Sequence, residues 1–200
     1  MSEKKEMLAL IRNRRSVRKY QDKALEKETV EKIVEAGRYA PSGGNNQTTH
    51  FIVIADRNIL QDLCDRCRDA FSGMEITEGM YKSLQGAITS AKKGNNNFFY
   101  HAPVLVVTAN RKGYGNAMAD SACALENMMI AASALDVGSV WINQLHWLDE
   151  HPLIREAMAP LGLTDEETIC GAVALGYAEG EIGQPLPRHG NPVTWIGFDA

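Results

Sequence analysis

Residues 12–19 read RNRRSVRK, five cationic side chains in eight positions. The chain as a whole carries a formal net charge of −4, so this stretch is a local exception. Like charges packed this closely repel one another unless water or an anion separates them. Arginine forks suit phosphate oxygens better than point-charge lysines do, and Ser16 adds a neutral hydroxyl donor. On charge alone, a solvated basic turn paired with surface carboxylates is the simpler reading, because exposed charge runs are common. A second constellation is PSGGNNQ at 41–47. Gly43 and Gly44 allow positive φ and close backbone approach, while Ser42, Asn45, Asn46 and Gln47 offer both donors and acceptors. Such a loop suits a planar heteroaromatic ring with alternating polar edge atoms. A plain helix-to-strand turn would have the same composition.

Other arrangements fall away. Cys64 and Cys67 form C-D-R-C, but the pair lies inside the helical pattern NILQDLCDRCRDAF and no second pair follows. A redox motif should open a helix, and a zinc site needs more ligands, so these thiols read as buried small hydrophobes on the Leu60/Leu63 face. His101, His146, His151 and His189 are scattered, with no spacing that gathers a metal site. Asp120 and Glu126 interrupt an apolar helix and read as hydrogen-bonded interior or interface groups rather than acid–base catalysts. The G-x-G of KGYGNAMAD lacks its third glycine, because position 118 is Met118. No Ser-His-Asp or Cys-His arrangement can be argued.

The elements that must position the two constellations follow from periodicity. An apolar stripe of Met7, Leu8, Leu10 and Ile11 predicts a helix over 3–12, with the basic stretch following as a loop or extended segment that ends at Tyr20. A helix over 26–40 is stopped by Pro41. A strand is expected at 50–55, with Asp56 capping a helix to about Phe71. Residues 72–97 are the least legible, with a helix around 78–92 and a GNNN turn. PVLVVTA at 103–109 is apolar without a break, as for a strand covered on both faces. Residues 116–135 form a helix apolar nearly all round, which belongs at the centre of the molecule or of a dimer, and Gly138 is placed to end it. Strands at 139–143 and 168–177 flank a short helix at 152–159. The tail from 178 carries Pro185, Pro187 and Pro192 and should wrap over a surface. Helices and strands mix without a regular βαβ count, which favours an α+β or mixed-sheet α/β domain over a doubly wound one.

Two hundred residues, 44% hydrophobic and 23% charged, suffice for one globular domain with an ample core. The acidic balance argues against general nucleic-acid binding, which needs a basic face. The apolar segment 117–135 contains Asp120, Glu126 and Asn127, which argues against a membrane span, and the first residues lack a secretory pattern. A cytoplasmic protein is expected.

Taken in order, the two constellations carry a family resemblance. R-R-S-V-R-K-Y, about twenty residues of helix, then A-P-S-G-G-N-N-Q-T-T-H-F at 40–51 resembles the FMN-dependent nitroreductase family. The resemblance continues through A-P-V-L-V-V at 102–107, G-S-V-W-I-N at 138–143, V-A-L-G-Y at 173–177 and P-L-P-R at 185–188. It implies one FMN-binding domain over 1–200, with a central, mainly antiparallel sheet surrounded by helices, in an interlocked homodimer. It also implies roles residue by residue. Arg14, Arg15 and Ser16 match positions that reach the FMN phosphate, joined by Arg188. Arg18 matches a basic position beside the flavin pyrimidine edge, where a cation favours the reduced ring. Pro41, Ser42, Gly43, Asn45 and Gln47 match the loop that lines the flavin held mainly by the other subunit. Trp141, Ile142 and Asn143 match the segment under the ring. The chain departs from the family in three places: Thr48-Thr49 stand where Pro-Trp is common, Asn143 where Glu is common, and His189-Gly190 where a second basic residue is common.

The activity so implied is NAD(P)H-dependent reduction of nitroaromatics, quinones or related small-molecule acceptors by a ping-pong mechanism. The flavin carries the chemistry, and no side chain acts as nucleophile, general base or metal ligand. The alternatives are a flavin reductase or specialised flavin enzyme on the same scaffold, and a non-redox module that grips a phosphorylated ligand.

Overall fold

The computed structural model describes residues 3–94 and 96–198; Asn95, within the GNNN turn expected after residue 93, lies outside the described residues. Four strands make one antiparallel sheet in the order β1-β2-β4-β3: β1 His50–Ile54, β2 Val104–Arg111, β3 Gly138–Ile142 and β4 Glu167–Gly176. Side chains alternate across a strand, and the two faces of β2 feed two separate cores. Leu105, Val107 and Ala109 point to one, Val104 and Val106 to the other. This is why its sequence is apolar without a break. The expected α+β architecture, an antiparallel sheet between helices, is the observed one.

The first core lies under α3 Arg57–Ser72, α4 Lys82–Lys92, α6 Gln144–Trp147 and α7 Pro152–Met158. The Asp56 carboxylate accepts from the Asn58 and Ile59 amides and so caps α3 as expected, a contribution of about 1 kcal/mol. Cys64 and Cys67 are buried on the Leu60/Leu63 side. Burial pushes both thiols up, which suits the reading of them as inert hydrophobes. Ala87, Ile88 and Ala91 tie α4 into the same core, leaving 73–81 as the mostly exposed part of the 72–97 segment.

The second core lies under α2 Lys27–Arg38 and α5 Ala117–Ala134, with α1 Glu3–Asn13 packed against α5. Leu125, Met128, Met129 and Ala132 bury the inner side of α5. Its outer side, with Met118 and Cys123, is exposed. The chain therefore covers one face of its most apolar helix and leaves the other bare.

Gly138 corrects one expectation. The helix does not stop there: it ends at Ala134, and Asp136 takes the left-handed conformation at φ 56°. Asp tolerates that region, which frees Gly138 to open β3 for a different purpose.

Candidate functional site

That purpose is to seat the basic segment. Residues 16–21 run extended beside the sheet edge. Ser16 forms a parallel bridge with Ser139, the Val17 amide donates to Ser139 O at 2.9 Å, and the Gln21 amide donates to Tyr177 O at 2.9 Å. Gly138 and Gly176 face each other across β3 and β4. A Cβ on Gly138 would lie 2.9–3.0 Å from three Val17 carbons, and one on Gly176 would lie 2.8 Å from the Tyr20 ring. Val17 and Tyr20 thus rest on a floor that only glycines leave open. The Tyr20 hydroxyl donates to Val17 O at 2.8 Å, and burial pushes its pKa up, so it remains a neutral donor.

With Val17 and Tyr20 turned inward, the polar side chains of the segment point away from the sheet. Ser16 and Arg18 are exposed, Arg14 and Arg15 half-buried. Arg14 turns onto α5, with Nε 3.6 Å from Glu126 Oε1 and Nη1 4.0 Å from Met129 Sδ. Among the described residues Arg15, Arg18 and Arg188 form no ion pair. A cavity of about 270 Å³ is lined by Arg14, Arg15, Ser139 and, from the tail, Pro185. Arg188 is exposed three residues further along. The Arg18 guanidinium lies 6.0 Å from the centroid of the Tyr100 ring. Tyr100 and His101 both have left-handed backbone, at φ 57° and 56°, held by Asn97 Oδ1 accepting from the Phe99 and His101 amides. Two adjacent non-glycine residues in that region store strain. The sequence carries no signal for it beyond the asparagine.

At the far end of β3, Trp141 faces the α5 core and Ile142 the α3 core. The indole Nε1 donates to Asn143 Oδ1 at 2.6 Å. The Asn143 side chain, at the position where the family commonly has Glu, is therefore spent on its own neighbour.

The 41–47 loop stands at the N-terminal end of α5. Gly44, Asn45 and Gln47 are all left-handed, at φ 59°, 55° and 52°. The Gln47 amide donates to Ser42 Oγ at 3.0 Å. The Gly43 amide donates to the Asp120 carboxylate, 3.1 and 3.3 Å from its two oxygens. Pro41, Asn45 and Gln47 keep their side chains exposed. Asp120 is thus a hydrogen-bonded interior group, as expected, and Glu126 is paired with Arg14. The cavity beside this loop, about 450 Å³, includes Pro41, Ser42, Asn45, Gln47 and Asp120 but none of residues 14–18. Two sets of predicted residues thus sit at separate cavities on one chain, Arg14 and Arg15 at one and Pro41, Ser42, Asn45 and Gln47 at the other, while the remaining predicted residues, Trp141, Ile142 and Asn143 included, line neither.

The histidines have local duties. His151 Nδ1 accepts from the Leu153 amide at the start of α7, and His146 Nδ1 lies 2.7 Å from Ile169 O. Among the described residues no group of three or more His, Cys, Asp or Glu side chains could hold a metal ion.

An antiparallel sheet between helices, with arginines along its edge and a glycine-rich loop at a helix start, defines an α+β scaffold carrying two polar sites. The sequence profile described as the nitroreductase family matches residues 11–177, and the chain belongs to that family of oxidoreductases. A nitroreductase with bound FMN from Bacteroides fragilis superposes with a TM-score of 0.84 at 32% identity, over 98% of this chain and 100% of its own. A protein of Archaeoglobus fulgidus, provisionally named an NADH dehydrogenase/NAD(P)H nitroreductase, is 31% identical over 180 residues, 88% of this chain and 87% of its own. The 4-nitrobenzoate reductase of a Nocardioides species is 27% identical, over 96% of this chain and 90% of its own.

Proposed function

We propose that this chain is an FMN-dependent oxidoreductase that uses NAD(P)H to reduce nitroaromatics, quinones or related small acceptors by a ping-pong mechanism, working as a cytoplasmic homodimer of one domain over residues 1–200. The observation that carries this reading is the pair Arg15 and Arg18, which stand along the sheet edge beside Ser16 and form no ion pair among the described residues. A guanidinium without a partner, next to a hydroxyl, is a donor set that fits a phosphomonoester. The exposed amides of Asn45 and Gln47 fit the polar edge of a heteroaromatic ring.

In this reading Arg15 and Ser16 hold the phosphate, with Arg188 joining from the tail. Arg14 keeps its tie to Glu126 or exchanges it for the phosphate. Bound FMN supplies the hydride chemistry between nicotinamide and acceptor. Arg18 places a fixed cation at the pyrimidine edge, where negative charge on the ring is most in need of stabilisation. Trp141, Ile142 and Asn143 form the floor under the ring, and Pro41, Ser42, Gly43, Asn45 and Gln47 form a wall of the site in a second copy. Thr48 and Thr49 make that wall short and polar where an aromatic is common, which widens the room for the acceptor.

The split of the predicted residues into two sets supports assembly of each site from two chains. So do exposed apolar side chains: Met7, Leu8 and Ile11 on α1, Met118 on α5, and Trp195, Ile196 and Phe198 in the tail. A surface of this kind on one chain calls for cover. No helix among the described residues is long and apolar enough to cross a membrane.

The test is direct. Purified protein should be yellow, should reoxidise NADH or NADPH with a nitroaromatic or quinone acceptor, and should give parallel double-reciprocal plots. Colourless protein that cannot be reconstituted with FMN overturns the reading. Full flavin content in a monomer overturns the dimer.

A further inference from the structure

The wall formed by residues 41–47 is held from behind by groups to which no role has been assigned. Gly44 takes the left-handed region without cost, but Asn45 and above all Gln47 do not, and such a conformation persists only where surrounding contacts over-determine it. Besides the bond from the Gln47 amide to Ser42 Oγ within the loop, hydrogen bonds to Gly43 and Asn46 come from the turn before α5 and its first residues. Asp120 is 6% exposed and accepts the Gly43 amide with both carboxylate oxygens. The Tyr114 hydroxyl lies 2.9 Å from Asp120 Oδ2 and 3.2 Å from Gly43 O, so it can donate to either. Asn46 Nδ2 donates to the same hydroxyl at 3.3 Å. A Cβ on Gly43 would overlap the Asn116 amide and come within 2.7 Å of Tyr114 Oη. Gly43 is therefore a socket as well as a turn: its amide, its carbonyl and the space where a side chain would sit are all taken up by residues 114–120.

We propose that Asp120, backed by Tyr114, is a positioning residue that fixes the 41–47 loop as the ring-facing wall of the flavin site. This rests on the flavin reading above. Asp120 lines the cavity beside the loop, but its carboxylate is bound to the loop backbone. It acts through Gly43, keeping the exposed side chains of Asn45 and Gln47 at one height and angle. An interior carboxylate at a helix start would otherwise be explained by the helix dipole alone. Its two contacts to an amide 77 residues away, and the tyrosine between them, are more than that explanation needs.

The experiment uses the full chain, first stripped of flavin and then titrated with FMN. In Asp120→Ala, amide exchange across 42–47 in the flavin-free protein should speed up roughly ten- to hundredfold, the loss expected for a hydrogen bond to a charged group. The FMN dissociation constant should rise roughly tenfold or more, and the visible bands of the saturated protein should shift. Asp120→Asn can still accept from Gly43 and still meet the tyrosine hydroxyl, so it should restore exchange, affinity and spectrum to within about threefold of wild type. Should Asp120→Ala fail to fold, Tyr114→Phe is expected to change all three readouts in the same direction by a smaller factor. Loop exchange unchanged in these variants overturns the proposal, and so does faster exchange with unchanged FMN affinity. An Asp120→Asn variant no better than the alanine also overturns it. A wild-type chain that takes up no FMN defeats the flavin reading itself; a wild type that binds FMN while Asp120→Ala binds it equally well defeats this proposal alone.

Discussion

Gly138→Ala should detach the basic segment from the sheet without touching a charged group. The added methyl would stand 2.9 Å from Val17 Cγ2 and 3.0 Å from Val17 Cβ and Cγ1, and Val17 is backbone-anchored and 9% exposed. The contact can be relieved by straining β3 or by lifting residues 14–18. Overpacking a tight site costs about 1–3 kcal/mol. Lifting the segment also gives up the Val17 amide to Ser139 carbonyl bond of 2.9 Å, which is worth about 1 kcal/mol. If only the lower part of that range falls on the docked segment, at about 1.4 kcal/mol per tenfold FMN binding weakens roughly five- to hundredfold. The assay is fluorescence titration of the flavin-free protein with FMN, paired with thermal unfolding in its absence. The decisive arm is the double variant Val17→Ala/Gly138→Ala, which removes two of the three carbons that the new Cβ meets and leaves a smaller side chain free to shift. Coupling should be strong and favourable, restoring most of the lost affinity. Undiminished FMN binding in Gly138→Ala, or no recovery in the double variant, would refute the idea that this glycine seats the arginines.

Further outcomes follow from the same geometry. Arg14→Ala together with Arg15→Ala should release FMN, with Arg15→Ala the more damaging single change because Arg14 already has Glu126 as a partner; unchanged flavin occupancy in the double variant would overturn the phosphate assignment. Burial acts to raise the Glu167 carboxyl, but hydrogen bonds from the Thr164 amide and hydroxyl, and His50 Nδ1 at 3.0 Å, hold it below its usual range. A carboxylate depressed in the folded state stabilises it fully above the unfolded value, about 4.3, and loses that contribution as pH falls through the folded one. Glu167→Gln should therefore lower Tm at neutral pH and converge with wild type in acid; a gap that persists or widens in acid would contradict this. Cys64, Cys67 and Cys170 are buried, with thiols pushed up by that burial, whereas Cys123 is exposed on the outer side of α5. A thiol reagent should reach Cys123 alone, slowly at high protein concentration and faster on dilution. Fast labelling at every concentration would count against a second copy covering that face.

Much of the architecture was legible because it is local. The unbroken apolar run at 103–109 already signalled a strand buried on both faces, and Asp56 ahead of NILQDL already signalled a capped helix. The two constellations were visible by residue type, but each alone read as a turn, and only their order and spacing, through the family resemblance, gave them a role. Gly138 was misread because a glycine shortly after a long apolar helix satisfies the local rule for a helix end. The close approach of Val17, 121 positions earlier in the chain, has no trace in the neighbouring sequence.

The sequence alone, then, determined which cationic and hydrogen-bonding groups this protein has, and in what order the chain presents them. Tertiary structure decided how they are deployed. It turned Arg14 onto Glu126 and left Arg15 and Arg18 without an ion pair among the described residues. It set Val17 and Tyr20 on a glycine floor, and it made Asp120 the anchor of a loop rather than a catalyst. The physical reason is that charge type and backbone freedom belong to single residues, whereas a carboxylate's partner, a cavity and a clash at 2.9 Å exist only between residues far apart in the chain.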